Sequence, residues 1–578
     1  MQTHLRGIRP VNRAGASGDA IVARAASREW LAAPSPNWAR TESAGTNGPR
    51  SWVRVFGAVL IGIALNGCAS VIPGADYPKR ASVALLHPED TKLARQFADA
   101  ASSHAGASGF RILSVGTDGF AIRVQLIAAA ERSLDLQYFI FRGDKTGLLL
   151  ADALLRAADR GVHVRLLIDD AARSVGDGAV LSLAAHPQVE IRLFNPLATR
   201  GHARLLQSAE YALHATRLDF RMHNKLLVAD NATALIGGRN IGDQYFQVDP
   251  AEQFADDDVF VVGPTVQALS KTFDEYWNSE FAIPVEALTR DKPSETALAE
   301  DRQQLAEWRQ QARLEGAPYA TRAESGEPFA GIVAGRTPLV WSAAQVVCDS
   351  PSKKRVVSGA ISGRLMYEPV AKAAADSTSE VLVITPYLIP TPAEVALLKA
   401  LRERDVRVRI LTNSLDSTGE LSAHSGYVRF RRPLVADGVE LHELRARLGN
   451  TRGSGQTATI SSFGNYGLHG KLFVFDRTKL FIGSMNFDQR SMILNTEIGL
   501  IIDSPELAEQ TAARFEAMTQ PANAYLLALR PQAHGKPRLV WRTQEAGKDV
   551  EYVREPSRSP WRRFAVRLLR LLPLDREL

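Results

Sequence analysis

The chain has 578 residues, 45% of them hydrophobic, with a formal net charge of +6 and a pI near 9.2. That length leaves room for two domains of roughly 200 residues each plus tails. Two cysteines exclude a disulfide framework, and the basic charge suits an anionic partner, lipid and nucleic acid alike.

Residues 1–50 are rich in Ala, Arg, Gly and Ser without periodicity and read as disordered. Arg54 then precedes an apolar run over 55–65, too short to span a membrane comfortably but right for a signal-peptide core. It ends in Leu65-Asn66-Gly67-Cys68-Ala69-Ser70, which resembles the bacterial lipobox, whose cysteine is acylated and becomes the first residue. Fifty preceding residues are too many for a normal leader, so translation is expected to start near Val53. With Cys68 lipidated, Cys348 is left unpaired.

Next come a strand-like run over 134–140, an amphipathic stretch over 146–160 and a second apolar run over 162–168. The order repeats later with 381–385, a helical 392–404 and 406–411. Strand, helix, strand implies parallel pairing through a right-handed crossover, so each half reads as a layered α/β unit. Val164 precedes His223 by 59 residues, and Val408 precedes His469 by 61. Between the halves, 286–336 reads as a charged helical connector, Arg302 to Arg313 being rich in Gln, Arg and Glu.

The repeat is sharpest in His223-Asn224-Lys225-Leu226-Leu227-Val228-Ala229-Asp230 and His469-Gly470-Lys471-Leu472-Phe473-Val474-Phe475-Asp476. These copies lie 246 residues apart (469 minus 223) and continue into matching tails ending at Asn240 and Asn486. The apolar residues after each lysine predict short buried strands. On such a strand, residues i and i+2 share a face, so each histidine points the same way as its lysine. Asp230-Asn231 and Asp476-Arg477 predict tight turns into second strands over 234–236 and 480–482. The small residues at 237–238 and 483–484 let backbone approach whatever lies between the histidines. Together the halves would offer two imidazoles, two ammonium groups and two carboxamides. Lysines and asparagines can hold the non-bridging oxygens of a phosphodiester while the imidazoles carry covalent and proton chemistry, with no metal or other cofactor. Asp230 and Asp476 also fit a purely structural turn role, and Asn240 and Asn486 also fit helix caps.

This pattern resembles the phospholipase D superfamily, whose signature is a duplicated H-x-K-x4-D motif with a downstream Asn. The resemblance covers about residues 106–530. It implies two pseudo-two-fold-related phospholipase D-like α-β-α sandwich domains, packed side by side with one shared active site. It also implies a catalytic set of His223, Lys225, Asp230, His469, Lys471 and Asp476, with Asn240 and Asn486 binding substrate. One histidine becomes a phosphohistidine and the other protonates the leaving alcohol, then deprotonates the acceptor. His223 is taken as nucleophile and His469 as general acid/base. A carboxylate beyond each motif would orient the partner histidine: Glu497 for His223, and Asp258, in the run Asp256-Asp257-Asp258, for His469.

The expected organisation is a disordered leader with signal peptide (1–67), a lipid-anchored linker (68–105), domain 1 (106–285), a charged helical connector (286–335), domain 2 (336–530) and a basic amphipathic tail (531–578). In that tail, apolar residues at 561, 564, 565, 568, 569 and 572 share a stripe opposite Arg563, Arg567 and Arg570. This is the pattern of a helix lying on an anionic bilayer, and packing against the body is the alternative.

The runs over 134–141, 161–170 and 438–444, with Asn413-Ser414 and His424-Ser425-Gly426-Tyr427, look like bacterial cardiolipin synthases. That resemblance implies a monomeric, membrane-associated phosphatidyltransferase making cardiolipin from phosphatidylglycerol and a second phospholipid, with phosphatidylethanolamine as a candidate donor. It would be lipid-anchored in the bacterial cell envelope, facing the periplasm. His424 and Tyr427 either border the acceptor site or pack at the surface. The alternatives are a phospholipase D hydrolysing headgroups, which shares the first half-reaction, and a superfamily nuclease. Nucleic acid is not the expected partner, because a nuclease has no use for a lipid anchor.

Overall fold

The computed structural model describes residues 72–571 except 172–176, 201–203, 250, 290 and 449–464. Cys68 and the leader lie outside the described residues.

Two mixed sheets organise the chain. The first has nine strands, in the order Val340–Ser342, Ser108–Leu113, Asp258–Val262, Thr233–Gly237, Leu226–Ala229, Ser133–Tyr138, His163–Asp169, Val189–Phe194 and Ala282–Pro284. The second has ten, in the order Ala344–Cys348, Ile498–Ile502, Lys479–Gly483, Leu472–Phe475, Glu380–Ile384, Arg407–Asn413, Glu440–Leu444, Ala524–Arg530, Arg538–Glu545 and Lys548–Tyr552. Each centres on three parallel strands joined through helices, and each flanks them with the antiparallel hairpin of its motif. The crossover helices run Lys145–Asp159 and Pro392–Glu403. The second begins with a Thr391/Glu394 capping box, and the first with Asp144 accepting from the Gly147 N–H. The tight turns occur as expected: Asp230, Asn231, Asp476 and Arg477 all have φ near +50°.

Strand alternation decides how the halves meet. In Leu226–Ala229, Leu226 and Val228 face a core shared with Leu382, Leu472, Val474, Ile482, Ile498 and Leu500 of the second half. Leu227 and Ala229 face the outer core beneath the first half's helices. One apolar layer therefore joins both sheets, with the helices Pro264–Trp277 and Pro505–Met518 contributing to it.

Four expected boundaries shift. The linker does not end free: Leu93 and Phe97 of the helix Lys92–Ser102 are buried in the first-half core, and Asn231 donates to the Leu85 carbonyl at 2.9 Å. The 286–335 segment forms three helices that pack on the first half. Arg309 meets Asp152, Arg322 meets Asp118 at 2.7 Å, and Gln125 brackets Ala323 and Phe329 with hydrogen bonds of 3.2 and 2.9 Å. The first sheet also continues to Ser342, and the chain crosses to the second between Ser342 and Ala344. Beyond 530, the hairpin of Arg538–Glu545 and Lys548–Tyr552 extends the second sheet, with Val540 and Trp541 buried. Only the helix Pro560–Leu569 answers to the expected amphipathic tail.

Candidate active site

Each histidine sits just ahead of its motif strand rather than within it. His223 follows a parallel bridge between Met222 and Thr496, and His469 follows the Leu468–Ala255 pair of a two-stranded parallel ribbon. The backbone amide of His223 donates to Thr496 O at 2.9 Å, and that of His469 donates to Ala255 O at 2.8 Å. Each half thus holds the other's histidine by main chain, and the same exchange recurs in the side chains. Nδ1 of His223 donates to Glu497 of the second half at 2.9 Å. Nδ1 of His469 donates to Asp256 of the first half at 2.6 Å. With Nδ1 holding the hydrogen, Nε2 of each neutral ring keeps its lone pair for chemistry.

The carboxylate on His469 is Asp256, which corrects the expectation of Asp258. Strand register explains why: Gly237 pairs with Asp258 as Gly483 pairs with Gly499, so the counterpart of Glu497 is Asp256. Asp258 instead lies between two buried guanidiniums, 2.8 Å from Arg123 and 3.1 Å from Arg239. Gly238 makes room for Asp256, since a Cβ there would fall 2.1 Å from its Oδ1. The corresponding Ser484 uses its hydroxyl to donate to Glu497, joined by Ser491 at 2.9 Å.

Lys225 and Lys471 are buried, and each donates to the carbonyl of its own histidine. Lys471 Nζ lies 3.0 Å from Nδ1 and 3.4 Å from Nε2 of His469. Burial, and then the neighbouring lysines, push both imidazoles down, His469 to about 3 and His223 well below its ordinary value. Burial also lowers both lysines, Lys471 to about 8. The carboxylates differ. Burial pushes Glu497 up to about 7 against the opposing Lys225, whereas His469, Lys471 and Arg239 outweigh burial at Asp256 and hold it below the usual range.

Asp230 and Asp476 point away from this cluster. Each sits at the far end of its strand, five residues or about 16 Å of extended chain beyond its lysine. The Asp230 carboxylate accepts from the backbone amides of Glu131, Arg132 and Ser133 at 2.8–2.9 Å. Asp476 accepts from those of Thr378, Ser379 and Glu380. They tie the hairpin to the start of the central strand, so the expectation of a catalytic role is corrected to a structural one.

Neither asparagine caps a helix: Asp488 caps Gln489–Ile493. Asn240 Oδ1 accepts from the Ile140 N–H at 3.1 Å, while Asn486 is buried with Oδ1 unpartnered among the described residues. Sequence reasoning missed the aromatic walls. Phe139 stands edge-on to His223, Phe254 stacks on His469 at 5.2 Å, and Tyr245 meets His469 edge-on. Among the described residues, no side-chain hydrogen bond of His424 or Tyr427 reaches this cluster. His424 binds Glu555 at 2.7 Å and Tyr427 donates to Glu443 at 2.9 Å, within a buried network that includes Arg431.

A family profile described as "Cardiolipin synthase, PLD-like domain" matches residues 124–277 and 370–519, one copy over each motif. The chain is 37% identical to Cardiolipin synthase C of Escherichia coli over 478 residues, covering 82% of this chain and 97% of that one. It is 28% identical to an uncharacterized Helicobacter pylori protein over 528 residues, covering 91% of this chain and 100% of that one. Among solved structures, phosphatidylserine synthase of Haemophilus influenzae aligns over 75% of this chain and 92% of its own, at 13% identity and a TM-score of 0.48. With an intact motif in each profile match and a 37% identical relative covered almost end to end, the chain belongs to the phospholipase D superfamily, as a member carrying two cardiolipin-synthase-type, PLD-like domains.

Proposed function

We propose that the chain is a phosphatidyltransferase of cardiolipin-synthase type, moving a phosphatidyl group onto the headgroup hydroxyl of phosphatidylglycerol through a phosphohistidine. The observation that carries this reading is the reciprocal pairing of His223 with Glu497 and His469 with Asp256 around two buried lysines. Nε2 of His223 attacks phosphorus, the P–O bond to the leaving headgroup breaks, and His469, which has taken up a proton on Nε2 as the anionic substrate binds, gives that oxygen its proton. The acceptor hydroxyl then passes its proton to His469 while its oxygen attacks phosphorus and the P–N bond breaks. Lys225, Lys471 and the Asn486 carboxamide stabilise charge on the non-bridging oxygens. The firmly ionised Asp256 makes His469 the more basic imidazole once an anion is bound, which supports its acid/base role. Glu497, with a carboxyl pushed up to about 7, leaves His223 neutral and nucleophilic.

Phosphatidylglycerol is taken as acceptor and a second phospholipid, phosphatidylethanolamine included, as donor, a reading supported by the relative named a cardiolipin synthase. The run ending at Cys68 supports a lipid-anchored protein facing the periplasm, and a mature mass retaining residues 1–67 would exclude it. Purified protein incubated with phosphatidylglycerol and phosphatidylethanolamine is expected to form cardiolipin. Predominant phosphatidic acid would replace transfer by hydrolysis, the second reading, which shares the first half-reaction.

A further inference from the structure

The helix Pro560–Leu569 has two unlike sides. Val566 is buried against the body, with Ala565 and Leu569 half-buried beside it. Trp561, Phe564, Leu568 and Leu571 are 75%, 58%, 55% and 79% exposed, and they share one stripe at helical spacing. Arg563, Arg567 and Arg570 follow that stripe along one flank, and residues 556–571 contain no acidic side chain. Packing against the body and an open apolar face therefore coexist in this helix.

The helix is also firmly mounted. Arg562 donates to the carbonyls of Leu415, at 3.1 Å, and Thr418, and Arg558 donates to that of Asp416. Glu555, just ahead, is held in the buried network of His424 and Arg431. The gripped loop continues from Asn413, whose side chain bonds both the carbonyl and the amide of Leu468 at 2.8 Å. Leu468 immediately precedes His469. The exposed stripe thus stands one loop away from the second imidazole.

We infer that this helix is a docking surface for an anionic phospholipid bilayer, placing the His469 side of the site at headgroup level. The inference rests on the phosphatidyl-transfer reading and adds how the lipid is met. A stripe of four side chains on one helix is far smaller than the roughly 800 Å² per partner of a stable protein interface. A bilayer, by contrast, accepts an isolated amphipathic helix by burying its apolar side chains, while flanking arginines meet lipid phosphates.

The test uses the full chain and vesicles of phosphatidylcholine with or without phosphatidylglycerol. Brominated acyl chains in the phosphatidylglycerol vesicles should quench tryptophan fluorescence, and Trp561→Phe should remove a distinct share of that quench. The Phe564→Asp/Leu568→Asp double variant should bind these vesicles about tenfold or more weakly, and its turnover on them should fall. Its turnover on detergent-dispersed substrate should match the original chain, which also shows that it folds. Arg563→Gln/Arg567→Gln/Arg570→Gln should abolish the salt-sensitive part of vesicle binding. A quench indifferent to Trp561→Phe, or undiminished vesicle binding by the double variant, would overturn the proposal. So would lipid-free dimers that dissociate in the double variant. Absence of cardiolipin from dispersed substrate, with the Trp561 quench intact, would instead reject the transferase reading and leave the docking surface standing.

Discussion

A histidine that attacks phosphorus must arrive without its proton, and burial secures this at His223, while His469, equally low in the free site, gains its proton as the anion binds. Their carboxylate partners then decide how the two rings differ. Asp256→Asn should lower kcat about 10²–10⁴-fold, because an amide no longer holds the ring in its Nδ1–H form or supports its cation. The unfolding temperature should stay nearly constant. Asp258→Asn should do the reverse, because it strips Arg123 and Arg239 of their shared buried partner. Its cost is about 3–5 kcal/mol of stability, with turnover per folded molecule preserved. Initial rates beside calorimetry check both, and matching kinetic losses would reject the assignment of Asp256. For the roles of the rings, an alkaline denaturing quench during turnover should trap phosphate on His223. Label on His469 would exchange the two.

At the scale of elements, the motif aspartates fasten rather than react. Asp230 is fully buried and satisfies three backbone amides at the start of Ser133–Tyr138, so Asp230→Ala should cost roughly 3 kcal/mol in denaturant unfolding. Asp476 does the same work at a more exposed turn, where its carboxyl is held down to about 2 by burial-opposing backbone hydrogen bonds. Its contribution is present above the ordinary carboxylate range and lost as pH falls through about 2, so Asp476→Ala should destabilise less than Asp230→Ala. Turnover per folded molecule should survive both substitutions. A collapse in kcat without loss of stability would return these aspartates to the chemistry. The two motif hairpins, their turns and the crossover helices were legible from the sequence, because period-two apolar runs and Asp-Asn or Asp-Arg turns are local properties. The final hairpin at Arg538–Glu545 was not, since its pattern of one or two buried residues between arginines reads equally well as a polar tail.

For the whole molecule, the shared apolar layer makes the two halves one cooperative unit. Calorimetry of the full chain should give a single unfolding transition. The halves cut between Ser342 and Ala344 should be unstable apart, because each would expose its face of that layer. Two separate transitions would contradict this. Anion binding should also couple to protons. Both free imidazoles titrate below their ordinary value, and an anion between them raises both, so binding takes up protons. Phosphate or vanadate affinity should therefore rise as pH falls through the neutral range, on the acid side of Lys471 at about 8. Calorimetric titration at several pH values measures it, and affinity falling toward acid would refute the neutral-imidazole site.

The chain's one-dimensional order was enough to determine the repeated α/β unit, both histidine–lysine pairs and the need for two halves, because each rests on spacing along a strand or on duplication. Glu497 could also be read as the partner of His223 by family resemblance. Choosing Asp256 over Asp258 could not be done by counting along the chain, because Asp256 follows Asn240 by 16 residues and Glu497 follows Asn486 by 11. Only sheet register aligns them, placing each three residues before an apolar run, at Val259 and at Leu500. Tertiary structure likewise decided that Asp230 and Asp476 face backbone amides, that aromatic rings wall both imidazoles, and that one face of the last helix stays open. These facts depend on which distant segments meet, and chain proximity carries no record of that.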